Sequence, residues 1–145
     1  MNKKIASLVL VLSILLALET PAAAAEMQPG LWRFTQRTQA GGQASQKTTT
    51  RCVSAAEAKN PASYFLPTGR GCALQAHSAA GGRIDSTLRC VNEGTVSDLT
   101  ATVLIPNPTQ MSITTAMTST ISGRSVSVSM TGQGQRIGAC GGRRG

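Results

Sequence analysis

Apolar and polar residues alternate along most of the chain after its first quarter. From Ser125 to Thr131 the apolar positions are the even ones, Val126, Val128 and Met130, separated by Ser125, Ser127, Ser129 and Thr131. In the stretch just before, Met111, Ile113, Met117 and Ile121 are odd and sit among serines and threonines. A period of two is the pattern of a half-buried antiparallel strand. The change of parity between the two stretches needs a tight loop. A two-residue loop at Gly123-Arg124 supplies it, bringing Ile121 opposite Val126, with glycine at the first central position of a type II′ hairpin. Upstream, Leu99, Ala101, Val103 and Ile105 are again odd. Across a loop of residues 106–110, Ile105 then pairs with Met111, Val103 with Ile113 and Leu99 with Met117. Ile84, Leu88 and Cys90 are even, and a turn at Glu93-Gly94 sets Leu88 opposite Leu99 and Ile84 opposite Val103. Antiparallel partners share a face, so each of these registers buries apolar against apolar.

A further hairpin centred on Gly81 places Leu74 opposite Leu88 and Cys72 opposite Cys90. An N-terminal pair runs over residues 31–38 and 45–53 around a Gly41-Gly42 turn. Between these units Ser54-Ala55-Ala56-Glu57 has the spacing of a capping box and opens a short helix that stops before Pro61. Tyr64, Phe65 and Leu66 follow as candidates to plug one end of the core. About seven strands with one apolar face predict an all-β fold, an antiparallel meander curled into a barrel or strongly bent sheet. A two-sheet sandwich is the alternative.

The first residues follow a different pattern. Asn2, Lys3 and Lys4 precede an apolar run over residues 5–18 broken only by Ser7 and Ser13, and Ala23 and Ala25 form an A-x-A site. This is the layout of a secretory signal peptide cleaved after Ala25. The apolar run falls short of the roughly 20 residues that cross a bilayer, so the protein is not expected to span the membrane. The first cysteine is Cys52, which leaves no lipid-bearing cysteine behind the run. The expected organisation is a signal peptide over residues 1–25, a β domain over 26–140 and a tail over 141–145, in a periplasmic or secreted protein. Cleavage leaves 120 of the 145 residues, and removing Lys3, Lys4 and Glu19 lowers the net charge from +8 to +7. Positive charge favours weak, salt-sensitive contact with anionic envelope surfaces. Arg33, Arg37, Lys47, Arg51, Arg83 and Arg89, each beside an inward-facing neighbour, are expected on the polar strand faces. Trp32, Phe34, Tyr64 and Phe65 are the only aromatics, few for stacking nucleic-acid bases, and with export expected as well no nucleic-acid partner is expected.

Cys52, Cys72, Cys90 and Cys140 are four cysteines in a small exported domain, which reads as two disulfides. Register favours Cys72–Cys90, leaving Cys52–Cys140 to tie the early strands to the end of the chain. Zinc would want C-x-x-C pairs with histidines, and no such combination occurs. His77, the single histidine, falls opposite Asp85 on the polar face in the Gly81-centred register, an arrangement of a surface cross-strand pair. Ser78 beside it points the other way, so a Ser–His–Asp relay does not form. No G-x-S-x-G elbow occurs, and Glu57, Asp85, Glu93 and Asp98 are dispersed. The glycine-rich run over residues 132–138 lacks dinucleotide-loop spacing and reads as a bulged strand bending toward Cys140. No catalytic residue, cofactor or metal is expected.

With Pro29-Gly30-Leu31-Trp32 opening the domain and Arg136-Ile137-Gly138-Ala139-Cys140 closing it, the chain resembles a widespread family of exported proteobacterial proteins known only as a domain of unknown function. Its members share a signal peptide, the P-G-x-W opening, internal cysteines and a G-x-C ending. The resemblance implies a β-rich periplasmic domain and brings no activity or ligand with it. The expected role is a non-enzymatic envelope module for binding or structure. The alternatives are a secreted modulator or inhibitor of another protein, acting through residues 106–110 or 60–71, and a carrier of a small apolar ligand among Trp32, Phe34, Leu88, Leu99, Met117 and Met130.

Overall fold

A computed structural model describes residues 26–62, Leu66, Gly69 and residues 71–141. Residues 1–25, read above as a signal peptide, Tyr64, Phe65 and the tail from residue 142 lie outside the described residues. Seven strands follow one another: β1 (Gly30–Ala40), β2 (Gln43–Val53), then, after helix α1 (Ala55–Lys59), β3 (Cys72–Ala80), β4 (Arg83–Asn92), β5 (Thr95–Asn107), β6 (Gln110–Ile121) and β7 (Arg124–Gly138). They form a single antiparallel sheet in the order β2-β1-β7-β6-β5-β4-β3. Every neighbouring pair is a hairpin except β1–β7, which joins the two ends of the meander.

The sheet does not close into a barrel, and the described residues form no second sheet for a sandwich. Strands β2 and β3 remain as edges. The physical reason lies in β2. On the face it shares with Trp32 and Phe34 it carries Gln43, Ser45, Lys47, Thr49 and Arg51, and only Val53 is apolar there. Wrapping β2 onto β3 would bury two cations for little apolar gain. This also corrects the expected position of Lys47 and Arg51, which lie on the core-side face rather than the polar one.

Four of the hairpins turn on two residues that both have positive φ: Gly41-Gly42, Gly81-Gly82, Glu93-Gly94 and Ser122-Gly123. Such type I′ turns match the right-handed twist of the flanking strands. The last of them corrects the expected Gly123-Arg124 II′ loop. Ile121 pairs with Arg124 and Met117 with Val128, two positions away from the register with Ile121 opposite Val126, although the same residues still face inward. Packing accounts for the choice. The observed register sets Met111 opposite Gly134 and Ile113 opposite Gly132, with Phe34 opposite Gly134 from the other side. A Cβ on Gly134 would come within 2.7 Å of the Phe34 ring and 2.8 Å of Met111, so the glycine makes room for both. The β5–β6 hairpin centres on Pro108-Thr109, and proline cannot take positive φ. Its register slips between Leu104 and Asn107, while Val103↔Ile113 and Leu99↔Met117 pair as the alternation requires. The β4–β5 pairs Leu88↔Leu99 and Ile84↔Val103 likewise form.

Buried residues concentrate where β1 and β6 begin and β5 ends: Trp32, Phe34, Val103, Ile105, Met111 and Ile113, joined by Ile84, Leu88 and Ala101. The segment before β1, helix α1 and Leu66 pack on this end. Met27 N–H donates to the Ala58 carbonyl, Gln28 N–H to the Pro108 carbonyl, and the Trp32 indole N–H to the Gln28 carbonyl. Met27, Ala58, Ala62 and Leu66 are all buried in the same cluster. Cys52 is bonded to Cys140 and Cys72 to Cys90, spanning 88 and 18 residues. No helix among the described residues is long and apolar enough to cross a membrane.

Candidate functional site

His77 is not opposite Asp85. Gln75 has no partner on β4, so the register shifts between Leu74 and Ala76, and His77 falls opposite Ser86 while Ser78 falls opposite Asp85. The bulge lets a two-residue Gly81-Gly82 turn coexist with Cys72 opposite Cys90. It also turns His77 onto the core-side face, where its Nδ1 lies 3.0 Å from the Ser86 hydroxyl. Ser86 is a buried polar side chain within the core, between Ile84 and Leu88. Asp85 points to the opposite face, where it accepts from Arg83 Nε and Nη2 and from the Thr102 hydroxyl at 2.6 Å. His77, Ser78 and Asp85 are therefore split between the two faces, and the histidine serves to satisfy a buried hydroxyl.

The apolar positions suggested as a ligand cradle divide into two groups. Trp32, Phe34 and Leu88 are packed in the core, with the Trp32 and Phe34 rings stacked at 6.0 Å. Leu99, Met117 and Met130 are half-buried, farther along the same face.

The outer face is richest in hydroxyls and amides over β6 and β7, where every second residue is mostly Thr, Ser or Gln, and Thr35, Gln39, Thr100 and Thr102 extend it onto β1 and β5. Its charges are unevenly matched. On the β4–β5 side each arginine is clamped by an aspartate: Arg83 on Asp85 at 2.6 Å and Arg89 on Asp98 at 2.8 Å. Hydrogen bonds from Arg83 and then Thr102 hold the Asp85 carboxyl below its ordinary range, and those from Arg89 do the same for Asp98. Arg33 and Arg37 on β1 have no ion-pair partner among the described residues. They stand four residues apart on one strand face, about 13 Å by strand rise. Between and beside them lie two adjoining depressions of about 350 and 440 Å³ over β1, β7 and β6. Both share Thr35, Ser112 and Gln133; Arg33, Gln110 and Gln135 bound one, Arg37, Gln46, Thr114 and Thr131 the other. No carboxylate and no aromatic ring lines either depression. Parity placed Arg33 and Arg37 on this face, but alternation along one strand gave no means of finding a trough made by three strands. The clamped arginines did have a signal in the sequence: the register with Leu88 opposite Leu99 also sets Arg89 opposite Asp98, and Arg83 shares a strand face with Asp85 two residues on.

The geometry defines the class: an open, single-sheet antiparallel β domain stapled by two disulfides, with a hydroxyl- and amide-lined trough beside two arginines that have no ion-pair partner among the described residues. The family model described as a protein of unknown function (DUF3617) matches residues 27–140, and the chain belongs to that family. No curated protein and no solved structure matches the chain.

Proposed function

We propose that this domain is a non-enzymatic binding module of the cell envelope that holds anionic envelope material on the β1 side of its outer face. The observation that carries the reading is the contrast between the clamped Arg83 and Arg89 and the unpartnered Arg33 and Arg37 above a polar trough. A cation already matched by a carboxylate has little field left for a ligand, whereas an unmatched one attracts anions over a distance set by salt. Two disulfides accord with an oxidising compartment, which supports an envelope address. The reading is tested by co-sedimentation with anionic vesicles across a salt series. Wild type binds at low salt and is largely released at physiological ionic strength. Arg33→Ala/Arg37→Ala loses the binding, while the charge-matched Arg83→Ala/Arg89→Ala keeps most of it. Equal loss in both doubles, or binding that persists in high salt, contradicts the reading.

One observation favours a second reading, carriage of an apolar ligand on the core-side face. There Leu74, Ile121 and Val126 are exposed beyond the half-buried Leu99, Met117 and Met130. A small molecule retained in native mass spectrometry of protein taken from its own host would support it. The modulator reading through residues 106–110 has less support, since this loop is reduced to a two-residue turn. It is tied down by bonds from Gln28 N–H to the Pro108 carbonyl and from Arg136 N–H to the Thr109 carbonyl.

A further inference from the structure

We infer that the trough over β1, β7 and β6 is a site for a short acidic sugar, a disaccharide or trisaccharide carrying an anionic group toward each end. This deepens the proposed function and rests on it. Three features set the ligand class. The guanidinium groups of Arg33 and Arg37 arise four residues apart on one face, so two anionic groups separated by about 13 Å meet one arginine each. Guanidinium is suited to phosphate or carboxylate because its planar fork donates two parallel hydrogen bonds.

The floor between the two arginines is neutral and hydrogen-bonding in both senses. Thr35, Gln133 and Ser112 stand side by side on three adjacent strands, and Thr131 and Thr114 form the next row. Thr35 shares a hydroxyl contact of 3.2 Å with Thr48 and keeps further capacity to donate or accept. With strands about 4.8 Å apart, the floor is about 10 Å wide, the breadth of a pyranose ring with its substituents. A simple polyanion needs cations and has no use for such a floor, whereas sugar hydroxyls pair with it. The lining holds no aromatic ring for base stacking and no carboxylate to hold a metal ion or repel the ligand's ends. The depressions are open on one side, so a sugar attached to a larger molecule is accommodated as readily as a free one.

The test is isothermal titration of the full disulfide-bonded domain at low salt. The probes are a glucosamine disaccharide phosphorylated at both ends, its singly phosphorylated counterpart and inorganic phosphate. The expected result is that the doubly phosphorylated sugar binds at least tenfold more tightly than the singly phosphorylated one, and inorganic phosphate least. Arg33→Ala and Arg37→Ala each reduce the doubly phosphorylated sugar to the affinity of the singly phosphorylated one. Ser112→Ala with Thr35→Val weakens both sugars severalfold without altering the salt dependence, and circular dichroism reports whether each variant remains folded. A parallel arm compares the free sugar with the same sugar on vesicles, which separates a soluble source from a membrane-borne one. Equal affinity for all three probes, with wild type still held by anionic vesicles through Arg33 and Arg37, overturns the sugar site and leaves the envelope-binding reading standing. Loss of vesicle binding as well overturns both.

Discussion

His77 illustrates how a single extra residue redirects a side chain. Alternation counted through an unbroken strand sets it opposite Asp85 on the outer face. The unpaired Gln75 shifts it by one position, against the buried Ser86 hydroxyl. The ring is exposed but its partner is not, so truncation affects more than a surface pair would. His77→Ala leaves the Ser86 hydroxyl buried without that partner and is expected to cost about 1–3 kcal/mol. His77→Ala combined with Ser86→Ala should cost less than the two single changes added together. Urea unfolding of the four proteins measures this; strict additivity would show that the 3.0 Å contact contributes nothing. The bulge was not legible because Cys72 and Leu74 meet Cys90 and Leu88 with or without it. Gly134 gives a second test at this scale. A methyl there meets Phe34 and Met111 inside 3.0 Å, and Gly134→Ala is expected to lose about 1–3 kcal/mol by overpacking. Gly138→Ala, where a methyl meets open space, should change stability by a few tenths of that. Equal effects at the two positions would contradict the packing explanation of the β6–β7 register.

Among the elements, helix α1 was the most completely readable, because a capping box is local chemistry. Ser54 Oγ accepts from the Glu57 N–H, and the Glu57 carboxylate accepts from the Ser54 N–H at 2.8 Å. The Ser54 backbone bond, then the Ser54 hydroxyl, with Arg51 adding to them, hold the Glu57 carboxyl below its ordinary range. A carboxyl lowered on folding contributes stability above its unfolded value, and that contribution is lost as pH falls through the folded one. Glu57→Gln should therefore be less stable than wild type at neutral pH, with the difference closing in acid below the usual glutamate range. Thermal melts across pH measure it; a gap that stays constant into acid would mean the carboxylate charge is not involved. Strand pairing was legible wherever both partners alternate, as in β4–β5 and most of β5–β6. Turn position was not, since Ser122-Gly123 and Gly123-Arg124 both change the parity and only the fit of Gly132 and Gly134 decides between them.

For the whole molecule, counting apolar faces suggested a closed barrel, and the polar core-side face of β2 explains why the sheet stays open. An open sheet of this kind depends on covalent ties. Cys52–Cys140 fastens the end of β2 to the chain just past β7, and Cys72–Cys90 fastens edge strand β3 to β4. By chain entropy the bond spanning 88 residues contributes about 4–5 kcal/mol and the one spanning 18 residues about 3 kcal/mol. Replacing Cys52 and Cys140 by alanine should therefore lower the denaturation midpoint more than replacing Cys72 and Cys90. The reverse order would place the stability of the fold in the β3 edge. The trough was invisible to one-dimensional reading, because Arg33, Gln135 and Gln110 meet only through pairings of β1 with β7 and of β7 with β6. The proposed ligand site is the outer face over β1, β7 and β6. Amide and methyl chemical-shift mapping of the isotope-labelled domain, titrated with the doubly phosphorylated disaccharide, tests it most directly. Shifts are expected to cluster on Arg33, Thr35, Arg37, Ser112, Gln133 and Gln135, with the methyls of Leu99, Met117 and Val128 unmoved. Shifts concentrated on those methyls and absent from the arginine rows would contradict it.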